Sequence, residues 1–336
     1  MKHVNRILII HQGAIGDFIL SLPAISSFKN SYPDASLEIR GYLHILRLVG
    51  KRFYADNISS VEQKEMAQFY SEDNVLDAKL IEHFKQFDLI IIFGREGSKT
   101  LFRNLKKVKV KEVCFIDTFP HNDENVHIID YQLSQLSRLG YKTLGKVPKL
   151  FPDEGDGKRA TEFFKKRRLN DNSLKIAIHI GSGSRMKVWP TGRFVQLSEK
   201  LIKMEGAKII LPIGPADERV AQEYFGLIDS EAIIPIANLP LNELAAILKK
   251  CDVYVGNDSG ITHVAAAVGI PVVALFGPTD PQVWGMRGDN VSVMYKGGLE
   301  CSPCSREEIK RCVNRRCLEN ISVEEVYGKV TNKLEI

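Results

Sequence analysis

Short aliphatic runs alternate along the chain with stretches whose apolar positions return every three or four residues. Arg6-Ile7-Leu8-Ile9-Ile10, Phe87 to Gly94 and Val113 to Asp117 read as buried strands, and Ser36 to Gly41 as a half-buried one. Between them, Phe18, Leu22, Ile25 and Phe28 keep helical spacing, with Pro23 either kinking that helix or marking its effective first turn. Asp130 to Leu139 predicts another helix, with Tyr131, Leu133, Leu136 and Leu139 mostly on one side. The same rhythm restarts at Leu174 to Ile180 and returns at Ala207 to Ile213, Cys251 to Gly256 and Ile270 to Phe276. Between these lie helices marked by Leu244, Ile247 and Leu248 and by Ala265-Ala266-Ala267. Such alternation argues for parallel sheets covered on both faces.

A chain of 336 residues is too long for one ordinary core, so two domains are expected. Lys146 to Gly157, with Pro148, Pro152, Gly155 and Gly157, breaks the composition as a linker does, and a basic helix, Lys158 to Leu169, follows. The expected domains are 1–157 and 158–336. The 44% hydrophobic and 26% charged make-up is that of a soluble globular protein. Runs such as Leu89-Ile90-Ile91-Ile92-Phe93 fall short of the about 18 residues of a membrane span. His11-Gln12-Gly13 interrupts the first apolar run before it could serve as a secretion signal, so a cytoplasmic location is expected. A net charge of +5 argues against a dedicated nucleic-acid binder. The positive run Arg103 to Lys111 is either a solvated face or a surface for a phosphorylated glycolipid or an anionic membrane.

The polar turns at the expected strand ends carry the candidate chemistry. Asn257-Asp258-Ser259-Gly260-Ile261-Thr262-His263 joins a buried strand to an Ala-rich helix, and Gly277-Pro278-Thr279-Asp280 follows the next strand. In a β-α-β unit both should line one pocket, where the amides of the helix start face an anion. Plain capping by Asp258 or Ser259 is the competing reading. Gly181-Ser182-Gly183-Ser184-Arg185-Met186-Lys187 suits a phosphate, through its amides, its hydroxyls and the charge of Arg185 or Lys187. Gly13-x-x-Gly16-Asp17 is not a dinucleotide fingerprint, but its glycines open the backbone in front of Asp17, whose alternative role is to complement a helix dipole. Glu218, or else Asp217, could accept from a ribose or simply begin a helix. Arg95 to Lys99 is a weaker acceptor candidate, and His44, His121 and His127 sit singly, without metal-ligand spacing.

Cys301, Cys304, Cys312 and Cys317 lie in a basic segment with Cys-x2-Cys-x7-Cys-x4-Cys spacing. In a reducing compartment this favours a structural Zn or Fe site, with free thiols or disulfides as the alternatives. Four thiolates would leave no open position for catalysis. Ser322 and Glu325 form a capping box for a closing helix.

Three blocks, Gly-x-x-Gly-Asp, Lys187-x-Trp189-Pro190-x-x-x-Phe194 and Asn257-Asp258-Ser259-Gly260-x-x-His263-x-Ala265-Ala266 with Phe276-Gly277-Pro278-Thr279-Asp280-Pro281, occur in the order in which glycosyltransferase family 9, the ADP-heptose:lipopolysaccharide heptosyltransferases, carries them. The resemblance implies the GT-B architecture: two doubly wound Rossmann-like domains facing across a cleft. The first would bind acceptor and the second the nucleotide-sugar donor, with the last helix a candidate to pack back on the first domain. It implies transfer of a heptose from ADP-heptose to a phosphorylated lipopolysaccharide inner-core glycolipid at the cytoplasmic face of the inner membrane, with inversion and no cofactor.

Within that scheme Asp17 is the base, beside Gly13 and Gly16 at the acceptor. Ser182, Gly183, Lys187, Ser259 and Gly260 meet the donor phosphates, Gly183 standing where relatives often carry a second hydroxyl. Glu218 meets the ribose, Asp258 holds sugar hydroxyls, His263 orients the diphosphate, and Ala237 to Leu241 borders the base. A protein acceptor, a sugar-nucleotide epimerase and a non-catalytic sugar-nucleotide binder are the competing functions.

Overall fold

The computed structural model describes residues 3–72, 76–120, 125–170, 172–299 and 301–334; His121 lies outside them. The chain divides into two compact units, Met1–Phe151 and Pro152–Ile336.

Among the described residues, the first unit has five parallel strands, β1 Arg6–His11, β2 Ser36–Gly41, β3 Asn57–Ser60, β4 Leu89–Gly94 and β5 Val113–Asp117, in the order β3-β2-β1-β4-β5. Its α-helices are α1 Ile15–Ser31, α2 Leu43–Leu46, α3 Ala78–Lys85, α4 Lys99–Lys107 and α5 Ile128–Arg138. β4 is buried along its whole length because helices cover both faces of the sheet, which is why its sequence is continuously aliphatic. The winding reverses between β1 and β4, so the loop after β1 opens at the switch point where ligands of such sheets bind.

The second unit has six parallel strands, β6 Lys175–His179, β7 Lys208–Ile213, β8 Ile233–Ala237, β9 Val253–Asn257, β10 Val272–Phe276 and β11 Val291–Tyr295, in the order β11-β10-β9-β6-β7-β8. Its helices are α6 Glu154–Lys166, α7 Thr191–Glu205, α8 Glu218–Phe225, α9 Leu241–Leu248, α10 Gly260–Ala267, α11 Pro281–Trp284, α12 Arg306–Arg311, α13 Arg316–Glu319 and α14 Val323–Leu334. Here the reversal falls between β6 and β9, whose register pairs Ile176 with Val253 and His179 with Gly256. The two turns that leave these strands are therefore neighbours. Each unit is a doubly wound, Rossmann-like domain.

Local details depart from the sequence pattern for identifiable reasons. α1 runs through Pro23 rather than starting there, its first turn already closed by the Phe18 amide on the Ala14 carbonyl. α6 begins at Glu154, ahead of the basic run, because Asp153 and Asp156 form a reciprocal capping box. Asp156 is fully buried, and its Oδ1 accepts from Arg159 at 2.6 Å and from Asn242 at 2.8 Å. α14 starts at the expected Ser322–Glu325 box and places Val326 and Val330 in the core of its own unit, against α7 and the β9–β10 pair. Among the described residues no helix is long and apolar enough to cross a membrane.

Candidate functional site

At the end of β1, His11 organises the first turn. It is 2% exposed, and its Nδ1 accepts the Gly13 amide at 3.2 Å. Nε2 therefore carries the proton and donates to Ser21 Oγ at 3.1 Å, while Ser21 donates onward to the Asp17 carbonyl at 2.9 Å. Burial pushes the pKa of His11 down to about 3, so the ring stays neutral. Asp17 is the third residue of α1 and half-exposed, and its Oδ2 accepts the Ala14 amide at 3.1 Å. A Cβ on Gly13 would lie 2.7 Å from both the Asp17 Cβ and the His11 ring, so glycine is required for this approach. Gly16 is in the first turn of α1. The structure thus brings Gly13, Gly16 and Asp17 together at the switch point. His44 is exposed on α2, and His127 caps α5 by accepting the Ile129 amide, roles that need no ligand. Arg95 stacks its guanidinium over Phe119, and Lys99 pairs with Glu96.

In the second unit, Asp258 ties three turns together. Its Oδ2 accepts from Lys187 Nζ at 2.7 Å and from Thr279 Oγ1 at 2.6 Å, and its carbonyl accepts from Ser182 Oγ at 2.8 Å. Asp258 is 6% exposed, and the Lys187 side chain 27%. Next to it, Asn257 is fully buried: its amide nitrogen donates to the carbonyls of Ile180 and Gly181, and its oxygen accepts the Trp189 amide. Trp189 is itself anchored through Nε1 to the Ile321 carbonyl. Gly183, at the crown of the loop, is exposed with open space around a Cβ, so a hydroxyl residue fits there.

Ser259 caps α10, its Oγ accepting the Thr262 amide at 3.4 Å. Capping and ligand binding do not compete here, since the cap leaves the first amides of α10, from Gly260 onward, without intrahelical partners. His263 is buried on the same helix. Of the two ribose candidates, Glu218 is exposed at the start of α8. Asp217 is 5% exposed and turned inward, its Oδ2 accepting the Gly214 amide at 2.8 Å and facing His179 Nε2 at 3.1 Å. Burial raises the Asp217 pKa, but the His179 ring and the Gly214 amide more than offset this and hold it below the usual range. On the α7–α8 side of the loop a pocket of about 340 Å³ is lined by Ser182, Arg185, Thr191, Arg219 and Arg315 among others, giving this end of the sheet a cationic surround.

The four carboxy-terminal cysteines share one short segment. Cys304 is pushed up to about 11 by burial and by the neighbouring Cys301, Cys317, Glu308 and Cys312. Among the described residues no three His, Cys, Asp or Glu side chains converge as metal ligands. What the segment does is brace the turns above it. The Cys304 amide donates to the Pro278 carbonyl at 2.7 Å, and Arg315 donates to the carbonyls of Arg185 and Val188.

Sequence reasoning did not single out His179, Asn257 or Thr279 individually. His179 lies 80 positions from the Ser259 it contacts, a separation that no local motif spans.

Comparison with known proteins bears on this arrangement. The model of "Glycosyltransferase family 9 (heptosyltransferase)" matches residues 114–313, more than half of the chain. The chain is 25% identical over 341 residues to lipopolysaccharide heptosyltransferase 3 of Escherichia coli strain K12, covering 95% of each protein. It superposes with a TM-score of 0.80 on a glycosyl transferase family 9 structure from Veillonella parvula (20% identity, 100% and 99% of the chains). The TM-score is 0.74 for E. coli ADP-heptose lps heptosyltransferase II (18% identity, 98% of each). These likenesses identify the fold as GT-B. With its family-matched region holding the β6, β7, β9 and β10 turns described above, the chain belongs to glycosyltransferase family 9 and is a glycosyltransferase.

Proposed function

We propose that this enzyme transfers a heptose from ADP-heptose to a lipopolysaccharide inner-core acceptor, with inversion at the anomeric carbon and without a metal. The observation that carries the reading is the convergence of Lys187, Ser182 and Thr279 on Asp258 beside the start of α10, inside the region matched by the family model. The names of the E. coli relatives supply the sugar and the acceptor.

In this reading the second unit binds the donor and the first binds the acceptor. Asp17 removes the acceptor hydroxyl proton, a contribution typically of roughly 100- to 10,000-fold. The acceptor oxygen bonds to the anomeric carbon from the face opposite the diphosphate, and the bond from that carbon to the β-phosphate oxygen breaks, its electron pair leaving with ADP. Lys187 and the amides of Gly260 and Ile261 take up the growing charge on the β-phosphate, each well-placed donor worth about 3 kcal/mol, while Ser182, donating to the Asp258 carbonyl, fixes the loop beside them. His263 orients the diphosphate, Asp258 holds sugar hydroxyls between its contacts with Lys187 and Thr279, and Glu218 meets the ribose. The positive run on and after α4 lies against the anionic acceptor or the cytoplasmic membrane surface.

The test is product analysis. ADP-heptose is offered with heptose-deficient lipopolysaccharide, and in parallel with protein acceptors, in the presence of a chelator. Mass spectrometry should show one added heptose on the glycolipid, and NMR an inverted anomeric centre. Turnover only with protein, or only after metal is restored, rejects the corresponding part.

A further inference from the structure

A buried polar cluster of the second unit lies beneath the proposed diphosphate position. His179, at the end of β6, is 3% exposed; Asp217 and Ser259 are 5% and 8% exposed. His179 Nε2 lies 3.1 Å from Asp217 Oδ2, and its Nδ1 lies 3.3 Å from Ser259 Oγ. A Cβ on Gly181 would come within 1.7 Å of Asp217 Oδ1, so the loop backbone passes directly over this pair.

With a neutral His179 ring, one proton arrangement gives every acceptor of the cluster a donor. Asp217 Oδ2 accepts the Gly214 amide and, as a carboxylate, also accepts from His179, which places the ring proton on Nε2 and leaves Nδ1 bare. Thr262 Oγ1 gives its proton to the Asn257 carbonyl at 2.5 Å, so it accepts from the Tyr254 hydroxyl at 3.0 Å. The Ser259 hydroxyl also lies 3.1 Å from Thr262 Oγ1, but only by donating to His179 Nδ1 does it give that buried nitrogen a partner, with a lone pair turned to the Thr262 amide.

We infer that His179 is a positioning residue for the transfer: backed by Asp217, it holds the Ser259 hydroxyl turned into the protein as the cap of α10, and so keeps the amides of Gly260 and Ile261 aimed at the departing diphosphate. The inference rests on the donor reading above. It also moves Ser259 from a direct phosphate donor to the residue that orients the donors.

Two substitutions separate the arms of the relay. In His179→Gln the amide nitrogen can replace Nε2 toward Asp217 while Ser259 loses its acceptor; in His179→Asn the side-chain oxygen can take the place of Nδ1. ADP affinity is measured by calorimetry, donor KM and kcat by turnover, and folding by thermal melting. His179→Gln and Ser259→Ala should each weaken ADP and raise donor KM by about tenfold, with a smaller change in kcat. The double variant should be no worse than Ser259→Ala alone, and His179→Asn should recover most of the ADP affinity. Folded His179→Gln within twofold of the parent in ADP affinity, or additive losses in the double variant, overturns the inference. If His179→Gln does not fold, Ser259→Ala decides, since it leaves the Asp217–His179 pair in place: unchanged ADP affinity there overturns the inference equally. A parent enzyme that binds no ADP sinks the donor reading, a failure visible before any variant is made.

Discussion

Lys187 and Asp258, 71 positions apart, form a 2.7 Å ion pair whose carboxylate oxygen also accepts the Thr279 hydroxyl. One side chain thereby sets the relative positions of the turns after β6, β9 and β10. The pair is partly open on the lysine side, so the ammonium can reach an incoming phosphate without leaving its partner, as its three donors allow.

Removal of the cation should therefore act twice. Lys187→Met is expected to lower kcat/KM by about 100- to 1,000-fold. Leaving the Asp258 carboxylate short of a donor should also cost about 1–3 kcal/mol of stability. Steady-state kinetics and denaturant titration measure the two effects, and Lys187→Arg should restore stability better than rate, because a planar fork does not replace a point charge.

Asp17→Asn keeps an acceptor for the Ala14 amide and removes the base. Turnover should fall by roughly 100- to 10,000-fold, with the ADP dissociation constant within twofold of the parent. Weakened ADP binding would instead assign Asp17 to the donor.

Gly13→Ala should reproduce part of that loss by steric means, because the new methyl collides with the Asp17 Cβ and the His11 ring. The expected signature is lower kcat with unchanged ADP affinity, read in the same two assays.

His11 gives the first unit an acid sensitivity. Its folded pKa of about 3 is below the unfolded value near 6.5, so below pH 6.5 the unfolded chain binds a proton that the folded chain refuses. Stability from this ring is intact above pH 6.5 and is lost by about 1.4 kcal/mol per pH unit as the pH falls toward 3. His83, lowered by burial and by Arg40, adds to the slope, so the comparison is between parent and His11→Gln. Chemical denaturation at pH 7 and pH 5 should show a shallower decline in the variant.

Much of the architecture was legible because parallel strands covered on both faces must be continuously apolar: β1, β4, β6, β9 and β10 could all be read from aliphatic runs bounded by glycine turns. β3, β8 and β11 were not, since each is an edge strand with exposed or half-exposed residues that blur the pattern, whereas β5, also at an edge, keeps a legible apolar run. The candidate site was legible where the chemistry is local, as in Gly13-x-x-Gly16-Asp17 and Asp258-Ser259-Gly260. It was illegible where one residue works on a distant turn. In sequence only the family resemblance favours Glu218 over Asp217; the inward turn of Asp217 toward His179 separates them physically. The four cysteines had a spacing that suited a metal, yet their segment serves the described structure as a brace, through backbone contacts that cysteine spacing does not encode.

Asn257 has a consequence for how this enzyme can be altered. By holding the carbonyls of Ile180 and Gly181 at one foot of the β6–α7 arch and the Trp189 amide at the other, it clamps both footings to β9. Within this arch, change is accommodated most readily at the keystone around Gly183, where a side chain meets nothing. A side chain added on that span leaves its supports undisturbed.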